Sequence, residues 1–84
     1  MKKIKISFRD QLAAKIKGLG EVEVDSFSDG SGSWVNLMME PDHVLEISFD
    51  GKGENITNIT FWRQIRQVVD YEKIWSIPIS STIS

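Results

Sequence analysis

Five residues constrain this chain more than any others. Glu21-Val22-Glu23-Val24-Asp25 alternates acid and valine without a break, the period of a strand with one buried and one solvated face. The preceding residues keep a different period. Phe8, Leu12 and Ile16 recur every four residues, with Ala13 and Leu19 beside them, so one helical stripe is apolar. Ser7-Phe8-Arg9-Asp10 has the spacing of a helix N-cap with an acid at the third helical position, where the macrodipole favours negative charge. Gly18 suits a left-handed residue after the last turn. The pattern predicts a helix over 8–17. Ile4 and Ile6, alternating with Lys3 and Lys5, can form a short strand ahead of it.

Beyond residue 25 the chain reads as a meander. Asp29-Gly30-Ser31-Gly32-Ser33 and Asp50-Gly51-Lys52-Gly53-Glu54-Asn55 are turn sequences. Strands are predicted over 34–40, stopped by Pro41-Asp42, and over 44–50. Residues 59–69 fit both a helix and a strand. Their Ile, Thr, Phe, Trp and Val content favours a long fourth strand. Asp70 is expected to cap a helical turn over 70–75. Around Pro78, Ile77 and Ile79 can only be an edge strand or an extended tail, and 79–84 read as a frayed terminus. Asn55-Ile56-Thr57 and Asn58-Ile59-Thr60 match the glycosylation pattern but read better as a turn entering a strand. Eighty-four residues suit a single domain over 1–84. The expected class is α+β: one N-terminal helix on one face of an antiparallel meander of about four strands.

One short helix covers only one face of such a sheet. The apolar sets Val22 and Val24; Val35, Leu37 and Met39; Leu45, Ile47 and Phe49; and Ile59 and Phe61 belong beneath it. The opposite face then carries Glu21, Glu23 and Asp25; Trp34, Asn36, Met38 and Glu40; Glu46, Ser48 and Asp50; and Trp62, Gln64 and Arg66. Tryptophan and methionine within an acidic rim mark an interface, unless the segment containing Ile74, Trp75 and Ile77 folds over that face as a lid.

Charge follows the same division. Residues 1–18 hold six basic side chains against Asp10, residues 19–55 nine acids against Lys52, and residues 56–84 three basic side chains against two acids. The neighbouring acids and a pI of 5.3 argue against nucleic-acid binding by the basic end. There is no cysteine, which excludes disulfides, thiolate metal sites and a cysteine nucleophile. No apolar run is long enough for a signal peptide core or a membrane span, so a cytoplasmic protein is expected. Glu40, Asp42 and His43 cluster on a turn without the convergence a metal requires. Asp25 to Asn36 fails the calcium-loop pattern at Phe27 and Asn36, and no cofactor is expected.

The expected function is therefore non-catalytic. The chain acts by docking on another protein, as a homodimer, through Trp34, Met38, Trp62, Arg66, Glu21, Glu23 and Glu46. Small acidic-centred proteins of this kind include adaptors and inhibitors, among them antagonists that phages and other mobile elements direct at host machinery; that step is analogy. The alternative is a homo-oligomer that sequesters a small molecule or nucleotide, with Arg63, Arg66, Tyr71 and Trp62 stacking on and neutralising an anionic ring. A second alternative is a nucleic-acid mimic. Alternate carboxylates on a strand lie about 6.6–7 Å apart, near the spacing of phosphates along one strand.

Overall fold

The structure, a computed structural model, describes residues 6–65 and 70–79. Helix α1 spans Phe8–Ile16 and tightens into a 3₁₀ turn, Lys17–Leu19. Five strands follow: β1 Glu21–Ser26, β2 Gly32–Met39, β3 His43–Asp50, β4 Ile56–Ile65 and β5 Asp70–Pro78. They form one antiparallel sheet in chain order, with β1 and β5 at its edges.

The helix starts where its cap allows. Ser7 is extended, and its Oγ accepts a hydrogen bond from the Asp10 amide at 3.2 Å. Arg9 then ties α1 to the sheet. Its amide donates to the Gly53 carbonyl at 2.8 Å and its Nη1 to Ser33 Oγ at 2.9 Å. Gly53 has a φ of 71°, a conformation that disfavours a side chain, and Arg9 packs directly above it.

Leu12, Ala13 and Ile16 pack on a cluster of Val35, Ile47 and Phe49, and Phe8 meets Phe49 edge-on at 6.1 Å. Val35 is fully buried, which contributes roughly 1.5–3 kcal/mol. The β2–β3 register pairs Ser33 with Phe49, Val35 with Ile47 and Leu37 with Leu45. The valines of β1 and the odd-numbered residues of β2 therefore face the helix together, as their alternation predicts. This cover is partial. Farther along the same face, His43, Phe61 and Trp75 stack in sequence at 5.2 and 5.6 Å, but Trp75 and Ile77 remain 42% and 51% exposed.

Four expectations need correction. The sheet has five strands, not four. Residues 70–75 form no helical turn; Asp70 opens β5, which pairs with β4 along its length. The C-terminal segment is consequently no lid: it extends the sheet sideways, and residue 79 is still anchored through its amide to the Thr57 carbonyl at 2.9 Å. Gly18 is not left-handed but lies within the 3₁₀ turn. In addition, β4 begins at Ile56, three residues before the expected start, while 66–69 lie outside the described residues. So do the strand expected near residue 4 and the terminus from residue 80.

Candidate functional site

The face away from α1 is built by strand parity. Glu21 pairs with Met38, Glu23 with Asn36 and Asp25 with Trp34. Asn36 pairs with Glu46, and Met38 with Val44. Val44 in turn pairs with Trp62, which pairs with Lys73 on β5. Among the described residues no helix or strand lies over this face. Glu21, Glu23, Trp34, Met38, Glu46 and Trp62 of the expected docking set all share it; Arg66 lies outside the described residues. In the alternative set, Trp62 and Tyr71 share the face. Arg63 aligns with His43 on the helix side and is ion-paired to Glu72, so it does not join them.

Trp62 is the centre of the arrangement. Its indole N–H donates to Glu46 Oε1 at 2.9 Å, which orients the carboxylate and satisfies the half-buried indole. Lys73 Nζ lies 5.5 Å from the centre of the Trp62 ring, within range of a cation–π contact. Beside this pair, Asn36, Met38, Val44, Glu46, Trp62 and Tyr71 line a hollow of about 210 Å³. One polar atom in its lining is unsatisfied: Asn36 Oδ1 is buried and accepts no hydrogen bond. A neighbouring hollow of about 520 Å³, with Phe27, Trp34, Ser48 and Asp50 in its walls, shares Glu46 with the first. Phe27 meets Trp34 edge-on there at 5.0 Å.

The turns bordering the sheet hold their own acids. The Asn55 side chain donates to Asp50 at 2.7 Å and the Glu54 amide at 3.0 Å; these bonds, Asn55's first, hold Asp50 below the usual carboxylate value. Hydrogen bonds from Ser31, its hydroxyl and its amide, do the same for Asp29. His43 opens β3 and stacks on Phe61 rather than projecting from a solvated turn. Among the described residues no three His, Asp or Glu side chains gather to hold a metal.

Val44, Tyr71 and Lys73 complete the site, yet the docking set derived from the sequence omits them. Val44 was legible, since it is two residues from Glu46 and must share its face. Lys73 was not, because its position depends on a register shift at Phe61/Trp62.

No protein-family profile matches the chain, and neither a curated protein nor a solved structure matches it. No helix among the described residues is long and apolar enough to cross a membrane.

Proposed function

We propose that the protein is a non-catalytic docking module that binds the basic surface of another protein through its acidic, tryptophan-centred sheet face. One observation carries this reading. Glu21, Glu23, Asp25 and Glu46 share a face with Trp34, Met38 and Trp62, and no described element covers it. Tryptophan and methionine are the side chains that interfaces concentrate at their centres, ringed by polar groups. A carboxylate rim steers a cationic partner and repels an anionic one. A nucleotide is the weaker reading: among the described residues the smaller hollow is lined by one carboxylate and no cationic side chain, and Arg63 is paired with Glu72 on the other side of the sheet.

The homodimer is best assigned elsewhere, since self-association through the acidic face would bring like charges together. Its better location is the β5 edge, where all nine residues are exposed and Trp75 and Ile77 lack cover.

The test is capture of a partner from lysate by the wild type and by the triple variant Glu21→Gln, Glu23→Gln, Glu46→Gln. The wild type recovers a stoichiometric protein, and the variant, folded by circular dichroism, loses it. Equal recovery by both, or a strong thermal shift with nucleotides alone, rejects the docking reading.

A further inference from the structure

The geometry points to the Asn36–Glu46–Trp62–Tyr71 hollow as a recognition pocket for one arginine side chain of the docked partner. This inference rests on the docking reading above and specifies its chemistry.

Size comes first. Pockets for drug-sized ligands begin at about 300 Å³, whereas this hollow is about 210 Å³. It suits the head of a single side chain better than a nucleotide. Charge comes next. Among the described residues the lining contributes one carboxylate and no cation. That carboxylate is already oriented, because Trp62 Nε1–H holds Oε1.

Asn36 supplies the independent observation. Its Oδ1 is buried without a donor, and such an acceptor costs stability until something donates to it. Asn36 and Glu46 are direct cross-strand partners, so their side chains leave the sheet about 5 Å apart. A guanidinium carries its five N–H groups in a planar fork. It can donate to Glu46 while its plane lies against the Trp62 and Tyr71 rings, and a turn of the Asn36 amide, whose Oδ1 is buried without a donor, would offer that oxygen to a second N–H. A lysine ammonium is a compact point charge and lacks the flat surface for that stacking. The chain already illustrates the cation preference of the indole through Lys73. Lys73 is not among the pocket's lining residues, so it leaves the pocket open while adding a like charge nearby.

The test is a nuclear magnetic resonance titration of the full chain, following the Trp62 indole N–H and the Asn36 side-chain amide. The probes are capped Gly-Ser-X-Ser-Gly peptides with arginine, lysine or norleucine at X. The arginine peptide should shift both signals saturably, and the norleucine peptide neither. Glu46→Gln and Asn36→Leu should each weaken the arginine peptide about tenfold or more, a change of 1.4 kcal/mol. Tyr71→Ala, on an exposed edge strand, should weaken it without disturbing the fold. Lys73→Gln should tighten it.

Absent shifts with arginine, equal shifts with norleucine, or lysine binding at least as tightly as arginine each overturn the pocket. The broader docking reading fails separately. If it alone is right, the triple carboxylate variant still loses the captured partner while the arginine peptide has no effect.

Discussion

Trp62 donates its indole N–H to Glu46 at 2.9 Å, one strand over and two residues out of register. A diagonal bond of this kind fixes the rotamers of both side chains, so a floppy aromatic and a floppy acid become parts of one surface. Because the acceptor is ionised, the bond is stronger than a neutral one, but partial exposure limits what it adds. A double-mutant cycle with Trp62→Phe and Glu46→Ala, followed by urea unfolding, should give a coupling of about 1 kcal/mol. A coupling indistinguishable from zero would show that the pair orients the face without stabilising it.

The N-cap should be felt despite the partial burial of α1. Ser7→Ala removes the acceptor for the Asp10 amide, at a cost of about 1 kcal/mol. Ser7→Asp should restore most of it. If Ser7→Ala unfolds at the wild-type urea midpoint, the cap makes no net contribution.

Acid should loosen the β3–β4 turn before the sheet. Asp50 is held below its ordinary value of 3.8, first by the Asn55 side chain and then by the Glu54 amide. A carboxyl depressed in the folded state stabilises it fully above the unfolded value, and the benefit is lost as pH falls through the folded one. Exchange protection at the Glu54 and Asn55 amides should therefore fall below about pH 4. In Asp50→Asn this acid-dependent step should vanish. Retention of the step in that variant would assign it to another carboxylate.

Gly20 marks a close approach of two backbones. It is extended rather than left-handed, so an alanine suffers no backbone penalty there. Its Cβ would instead drive into the Met38 carbonyl oxygen, beside the Glu21–Met38 pairing. Gly20→Ala should cost roughly 1–3 kcal/mol and perturb β1 amide shifts. Gly18→Ala, with open space around it, should be tolerated. Equal thermal stability of the two variants would contradict this account.

Much of the site was legible because alternation does not depend on knowing neighbours. Once 21–25 and 34–40 read as strands, the acids must share a face, and Trp34 and Met38 must leave β2 on one side. The class, the helix and its Ser7 cap followed from local rules as well. The fifth strand was harder. Asp70, Glu72 and Lys73 interrupt its apolar pattern, Pro78 breaks its end, and Asp70 resembles a helix cap. The register also shifts between Phe61 and Trp62, so Trp75 and Lys73 align with successive β4 residues although a residue lies between them. No fixed period survives that insertion. The unpaired Asn36 acceptor is also beyond sequence reasoning, since a missing partner is a fact of three dimensions.

The outer strand β5, every residue of which is exposed, gives the site a gradient of rigidity. Amide exchange in β2 and β3, which carry Val35, Ile47 and Phe49, should require something close to global unfolding. In β5 it should need only local opening. Asn36 and Glu46 stand on the slow-exchanging pair, while Tyr71 rides on the fast one. On the docking reading, the pocket would join a floor tied to the core to a wall on the exposed edge strand, so a guest could be accommodated by adjustment of β5 rather than of the core.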